Sequence, residues 1–132
     1  MLANRSIADS ILIPELGYDD IHAAAEWLER AFGFRKRLVI FDHRIQMTVG
    51  KGAAIALTDR PVRGSNVLVR VDDATAHHAR AAAHGANIVR GLADHPFGER
   101  QYSAEDPGGH VWTFSESIAD VDPASWGGVL IP

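Results

Sequence analysis

The feature that most constrains the fold of this chain is an internal repeat in the order of its elements. Asp20 and Gly33 bracket a segment whose apolar residues recur at helical spacing, and Asp72 and Gly85 bracket a second, Ala-rich segment. The two residues of each pair are 13 positions apart. Because aspartate is a favoured N-cap and glycine a favoured left-handed stop, the matched spacing predicts two helices at equivalent places.

Strand-forming runs surround both predicted helices in the same order. A short strand is predicted at residues 10–13, before Pro14, and alternating valines at 67–71 predict its counterpart ahead of the second helix. Each helix is followed by a strand and a hairpin, with turns at residues 50–52 (Gly-Lys-Gly) and 106–109 (Asp-Pro-Gly-Gly). The sequence therefore predicts an α+β fold of two βαβββ modules.

The length of 132 residues fits one domain, so we expect residues 1–132 to fold together. The polar connection at residues 59–65 divides the chain into module one, about residues 10–59, and module two, about residues 65–117. The remaining residues, 118–132, form a C-terminal tail.

Composition argues against several classes of function. The formal net charge is −4 and no basic tract is present, which disfavours nucleic acid as a partner. No apolar run approaches the roughly 20 residues that span a bilayer, which disfavours a membrane partner. The chain has no cysteine, and its first ten residues lack the apolar stretch of a secretory signal. We therefore expect a cytoplasmic protein.

Three stretches carry a recognisable pattern. They are Pro-x-Leu-x-Tyr-x-Asp from residue 14, Ala-x-x-Trp-Leu-x-x-Ala-Phe-Gly-Phe from residue 24, and Gly-x-Arg-x-Tyr-x-x-x-Asp-Pro-x-Gly-His-x-Trp-x-Phe from residue 98. Through them the chain resembles the glyoxalase/bleomycin-resistance/dioxygenase group, also called the vicinal oxygen chelate superfamily. The resemblance covers nearly the whole chain. It implies two βαβββ modules whose curved mixed sheet surrounds a cleft, usually in a homodimer, with a divalent metal in the enzymes and none in the antibiotic-binding members.

The resemblance also implies four metal-ligand positions, which hold His, Gln or Glu in metal-dependent members. Here they correspond to Ile13, Ala56, Asn66 and Thr113. Sites for Zn²⁺ and Fe²⁺ need imidazole and carboxylate donors, and these four side chains offer neither. We therefore expect no metal and no cofactor.

The histidines leave a relocated metal site as an alternative. His77 and His84 lie two turns apart on the second helix, too far to hold one ion, and are expected on its solvated surface. His43 and His110 lie beside hairpin turns, where histidine is usually exposed or bonded to the backbone. A relocated site would use His43, Glu99 or His110.

Polar strand faces supply the candidate ligand contacts in the first module. Arg44, Gln46 and Thr48 share one face of a strand, which suits an anionic or carbonyl oxygen of a ligand. A solvated strand face is an equal alternative.

In the second module, Arg100 and Tyr102 share one strand face and could orient a planar ligand. The structural alternative pairs Arg100 with Asp106 or Glu105. Trp112 and Phe114 flank Thr113 and are expected in the core.

Together these observations predict a metal-independent small-molecule-binding protein that forms a homodimer, with a ligand of unknown identity. The predicted ligand-binding residues are Ile13, Arg44, Gln46, Ala56, Asn66, Arg70, Arg100, Tyr102 and Thr113. One alternative is a lyase or isomerase of the same fold with a relocated metal or none. Another is a dimeric interaction module without catalysis.

Overall fold

A computed structural model describes residues 3–62 and 64–132 of the chain. The first module runs in the order strand, helix and three strands: β1 (Glu15–Gly17), α1 (Ile21–Phe32), β2 (Arg35–Ile40), β3 (Arg44–Val49) and β4 (Ala53–Thr58). The second module repeats this order with β5 (Asn66–Arg70), α2 (Ala74–Ala83), β6 (Asn87–Asp94), β7 (Glu99–Glu105) and β8 (Val111–Ser117). A short 3₁₀ helix, Pro123–Trp126, lies in the tail.

Each module forms its own four-stranded mixed sheet. The strand order is β1-β4-β3-β2 in the first sheet and β5-β8-β7-β6 in the second. In each sheet the strand before the helix pairs in parallel with the last strand of the module, and the other pairs are antiparallel. The predicted α+β fold of two βαβββ modules is therefore confirmed.

Both helices begin at an aspartate: Asp20 caps α1 as the repeat predicts, whereas α2 is capped by Asp73, one position after Asp72, and ends at His84, one position before Gly85. The Asp20 carboxylate accepts a hydrogen bond from the Ala23 amide, and the Asp73 carboxylate accepts one from the Ala76 amide. Gly33 ends α1 with a φ of 79°, a left-handed conformation that costs glycine little. Neither helix, nor the 3₁₀ turn in the described tail, has the length and apolar character that a membrane span needs.

The first strand differs from its predicted position at residues 10–13. Pairing with β4 begins at the Pro14 carbonyl, which accepts from the Ala56 amide, and continues through Glu15–Gly17. Pro14 has no N–H to donate, so the ladder develops only after it. Ile11 and Leu12 stay 88% and 81% exposed, so apolar character alone misplaced the strand.

One apolar cluster joins the two modules. Phe32, the last residue of α1, has its ring centroid 4.8 Å from that of Phe114 and 6.1 Å from that of Trp112. Trp112 and Phe114 are fully buried, which confirms the prediction that they belong to the core. The two helices also contact each other. Each sheet therefore packs one face on the helices and turns the other away from them.

A buried polar junction, centred on Asp106, links the modules beside this cluster. The Asp106 carboxylate accepts from the Tyr18 hydroxyl at 2.5 Å and from the Trp112 indole N–H at 2.9 Å. It also accepts from the backbone amides of Gly108 and His110. Burial, reinforced by the Asp106 charge, raises the pKa of Tyr18, so its hydroxyl stays a donor.

Candidate functional site

The face of each sheet that points away from the helices is called here its helix-free face. In the first sheet it carries Arg44, Gln46 and Ala56, because Ile45, Met47 and Leu57 point into the core. In the second sheet it carries Asn66, Arg70 and Thr113, since Val67, Val69 and the aromatic residues of β8 face the helices. Six of the nine predicted ligand-binding residues therefore lie on helix-free faces.

The helix-free face of the first sheet is covered by residues 5–10 of the same chain. The Gln46 amide oxygen accepts from Arg37 Nη1 at 2.6 Å, and its amide nitrogen donates to the Ser6 carbonyl at 2.9 Å. Gln46 is only 5% exposed, and Ala8 is buried as well. This segment therefore satisfies Gln46 internally, which contradicts its assignment to an open ligand cleft.

Arg44 is also committed to a partner within the protein. Its Nη1 donates to Glu15 at 3.0 Å, and Arg60 donates to the same carboxylate oxygen at 3.0 Å. The Arg44 hydrogen bond and charge, followed by those of Arg60, lower the pKa of Glu15. The guanidinium of Arg44 thus neutralises a carboxylate of β1, and a ligand anion would have to compete with Glu15 for it.

The helix-free face of the second sheet carries a row of hydroxyl and amide groups. Ser103 Oγ and Thr113 Oγ1 are 2.7 Å apart and share a hydrogen bond. The Gln101 amide donates to Ser115 Oγ at 2.9 Å, and Ser115 Oγ donates to Glu99 at 2.7 Å. Of this row, Thr113 is a predicted ligand contact, and Glu99 is predicted only as part of a relocated metal site. The other residues of the row could also be predicted. Side chains next to Tyr102 along β7 point to the face opposite Tyr102, and side chains that pair with Thr113 share the face of Thr113.

One carboxylate, Glu99, ends this row. Hydrogen bonds from Ser117 and Ser115 lower its pKa, and the charge of Arg70 contributes further. Glu99 is therefore held as a hydrogen-bond acceptor at neutral pH and is a weak proton acceptor. Arg70 donates to Ser117 Oγ at 3.1 Å across the same edge of the sheet.

The structure contradicts the assignment of Tyr102 to a ligand cleft. Tyr102 and Arg100 do share a face of β7, but it is the face that packs on the helices. Tyr102 is 1% exposed, stacks on Phe114 with ring centroids 5.3 Å apart, and has its pKa raised by burial. Arg100 donates to both carboxylate oxygens of Asp94, at 2.7 and 3.2 Å, so its partner is neither Asp106 nor Glu105.

His77 lies in a half-buried position instead of on the solvated surface predicted for it. The Tyr102 hydroxyl donates to its Nδ1 at 2.5 Å, and its Nε2 donates to the Phe32 carbonyl at 3.1 Å. Burial lowers the pKa of His77, the Phe32 carbonyl opposes this, and the Arg80 charge adds to it. The surface prediction failed because helical spacing does not reveal that α1 ends against this side of α2.

The four positions assigned to metal ligands supply no strong donors. Ile13 precedes β1 and Ala56 is fully buried. Asn66 is exposed at the edge of the second sheet, and the Thr113 hydroxyl is engaged by Ser103. The donor set at these positions therefore does not fit a divalent metal ion.

The residues of the alternative metal site are engaged separately. His110 is fully buried, with Nε2 donating to the Gly17 carbonyl at 2.8 Å and Nδ1 accepting from Ser65 at 2.8 Å. His43 Nδ1 lies 3.4 Å from Asp59 Oδ2, and Glu99 belongs to the row of hydroxyl and amide groups on the second sheet. Among residues 3–62 and 64–132, no three His, Asp or Glu side chains converge as metal ligands would.

Comparison with known proteins agrees with this fold. A solved structure of TioX from Micromonospora sp. ML1 is 33% identical, with a TM-score of 0.71, over 83% of this chain and 99% of that chain. A glyoxalase/bleomycin resistance protein from Streptomyces sp. CB03234 is 23% identical, with a TM-score of 0.68, over 79% of this chain and 97% of that chain.

A glyoxalase/bleomycin resistance protein/dioxygenase family enzyme from Burkholderia phytofirmans PsJN shares the fold at 15% identity, with a TM-score of 0.70, over 83% of this chain and 99% of that chain. No curated protein matches the sequence. The family model described as Glyoxalase/Bleomycin resistance protein/Dioxygenase superfamily matches residues 10–114. The chain therefore belongs to the glyoxalase/bleomycin resistance protein/dioxygenase superfamily.

Proposed function

We propose that this protein binds a small organic molecule without a metal ion, on the helix-free face of its second sheet. The observation that carries the proposal is the contrast between the two sheets. Residues 5–10 cover the first helix-free face and satisfy Gln46, whereas the second presents hydroxyl and amide groups beside exposed Asn66, Leu68 and Arg70. A few fixed polar groups beside apolar surface are typical of small-molecule sites.

The chemistry of this face favours binding over catalysis. Hydroxyl and amide groups can donate to and accept from a ligand, and Leu68, 58% exposed, offers apolar contact. The lowered pKa of Glu99 makes it a poor general base at neutral pH. The four metal-ligand positions lack imidazole and carboxylate groups, which supports metal-independent binding.

A homodimer is part of the proposal. The strand β5 is an edge of the second sheet, and its exposed Leu68 lies on the helix-free face, so a second copy can cover this edge and close the site. Light scattering should give about twice the chain mass of 14.3 kDa. A monomer that persists at high micromolar concentration would contradict dimerisation while leaving ligand binding to be judged separately.

The binding proposal is tested with protein dialysed against a chelator and checked by elemental analysis. Small carboxylates, phenols and amines are then screened by calorimetry against the wild type, Thr113→Val and Thr48→Val. Thr113→Val should weaken the best ligand roughly 2- to 12-fold, because one neutral hydrogen bond contributes about 0.5–1.5 kcal/mol. Thr48→Val is the matched control, because Thr48 lies on the helix-free face that the N-terminal segment covers.

Two results would contradict the proposal. One metal ion retained per chain after dialysis would rule out metal independence. Equal weakening by Thr48→Val and Thr113→Val would show that the ligand does not distinguish the two faces, and the assignment to the second sheet would be wrong.

A further inference from the structure

The seam between the modules contains two adjoining cavities that share Leu68 and Arg70 with the helix-free face of the second sheet but are not lined by the hydroxyl and amide groups of that face. Their volumes are about 350 Å³ and about 500 Å³. Both are lined by Val49, Gly50 and Lys51 at the β3–β4 turn of the first module and by Val69 and Arg70 of β5 in the second. These volumes fall in the range of small-molecule sites, roughly 300–1,000 Å³.

The walls of the smaller cavity are largely apolar, and those of the larger cavity are polar and apolar in equal part. The smaller cavity is bounded by Leu12, Pro14, Ile55, Val67 and Trp112. The larger one is bounded by Phe32, Phe34, Val71 and His77. Both ring nitrogens of His77 are already hydrogen-bonded, so His77 contributes a ring face to the wall. The walls of the smaller cavity therefore suit the body of an aromatic or alicyclic molecule.

Two cations border the seam without a direct ion pair to any carboxylate of the described residues, although the charge of Arg70 also acts on Glu99. Lys51 forms no hydrogen bond or ion pair with any of the described residues. Among the same described residues, Arg70 donates a hydrogen bond only to the neutral Ser117 hydroxyl, at 3.1 Å. By contrast, Lys36 and Arg100 pair with carboxylates on the surface. The single acidic side chain among the described lining residues is Asp72, in the larger cavity.

We propose that the seam is a second binding site, selective for a small aromatic monoanion such as an arene carboxylate. The ring would lie between the apolar walls, and its anionic group would lie between Lys51 of the first module and Arg70 of the second. This charge-assisted contact would distinguish an anion from a neutral or cationic molecule of the same shape. Bound ligand would also connect the two modules.

Calorimetry with 2-naphthoate, 2-naphthalenemethanol and 2-naphthylmethylammonium tests the proposal, because these probes share one ring system and differ in charge. We expect 2-naphthoate to bind most tightly. Lys51→Gln and Arg70→Gln should each weaken it about tenfold or more and leave the alcohol unchanged. Arg90→Gln is the matched control. Arg90 is an exposed cation on β6, the edge of the second sheet opposite to β5, which carries Arg70.

Thr113→Val separates this site from the one under Proposed function, because Thr113 does not line the seam. It should leave 2-naphthoate binding unchanged, whatever its effect on a ligand of the second sheet. The proposal is overturned if none of the three probes binds, or if the alcohol binds as well as the carboxylate. Equal weakening by Arg90→Gln, or loss of binding in Thr113→Val, would also overturn it. Lys51 lies in an exposed turn, and thermal unfolding of each variant checks that the fold is intact.

Discussion

Replacing Tyr18 with phenylalanine tests whether the Asp106 junction holds the two modules together. The change removes the hydroxyl that donates to Asp106 at 2.5 Å and leaves the ring in place. Asp106 would keep the Trp112 indole and the amides of Gly108 and His110 as donors. A buried hydrogen bond to a charged group contributes about 1.5–3 kcal/mol, so Tyr18→Phe should lower the free energy of unfolding by that amount.

Tyr102→Phe is the matched control for this prediction. Tyr102 is equally buried, but its hydroxyl donates to the neutral Nδ1 of His77. A neutral hydrogen bond contributes about 0.5–1.5 kcal/mol, so Tyr102→Phe should cost roughly half as much as Tyr18→Phe. Urea unfolding measures both, and for a chain of this length the loss at Tyr18 should lower the melting temperature by roughly 6–12 °C. Several protein concentrations are needed, because dimerisation adds to apparent stability.

A double-mutant cycle isolates the Tyr18–Asp106 contact. In an Asp106→Asn background, Tyr18→Phe should cost less than in the wild type, since the charged acceptor is gone. If Tyr18→Phe costs no more than Tyr102→Phe, or if the cycle shows no coupling, the junction does not depend on this bond. The carboxylate would then be satisfied by Trp112 and the backbone amides alone.

Two further predictions concern His77 and Gly17. Burial lowers the pKa of His77 in the folded state below its ordinary 6.5, so the unfolded chain takes up the proton first as the pH falls. The stability contributed by neutral His77 should be complete above about pH 6.5 and decline below it, by at most about 1.4 kcal/mol per pH unit. Urea titrations at several pH values should show a shallower decline of the unfolding free energy in His77→Gln. Equal slopes of unfolding free energy against pH in the two proteins would contradict this. A Cβ at Gly17 would lie 2.4 Å from the Arg60 carbonyl oxygen and 2.5 Å from the Val62 amide nitrogen, both backbone atoms. Gly17→Ala should therefore cost about 1–3 kcal/mol in the same assay, whereas Gly91→Ala, whose Cβ would meet open space, should stay within about 0.5 kcal/mol; similar losses would contradict the role of close packing.

The fold was readable from sequence because its strongest signals are local. Caps, stops and turns act within a few residues, so Asp20, Gly33 and the turn at 106–109 marked their elements without knowledge of the tertiary structure. The repeated order of elements then supported the two-module fold, which no single element could indicate. The misplaced first strand shows the limit, because apolar residues 10–13 carried no information about where pairing with β4 begins.

The ligand-binding residues were harder to predict, because they depend on contacts between distant segments. Alternation along β7 places Arg100 and Tyr102 on one face, but it does not say which face meets the helices. Gln46 was placed on the correct face, yet residues 5–10 cover it. Nor could spacing show that Lys51 and Arg70, from different modules, border one seam. Each of these facts needs the path of the chain in three dimensions.

The helix-free faces of the two similar modules differ because the chain leads into each module along a different path. The pair Gln46–Ala56 in the first sheet and the pair Ser103–Thr113 in the second lie opposite each other on equivalent antiparallel strands. The segment before β1 crosses the first helix-free face and hydrogen-bonds to Gln46. The connection before β5 is held at Val62, whose carbonyl accepts from Gly17, and at Ser65, whose carbonyl accepts from Val111. These contacts lie at the end of β1 and the start of β8, so among the described residues the first of the two faces is the one closed by the chain that leads into it.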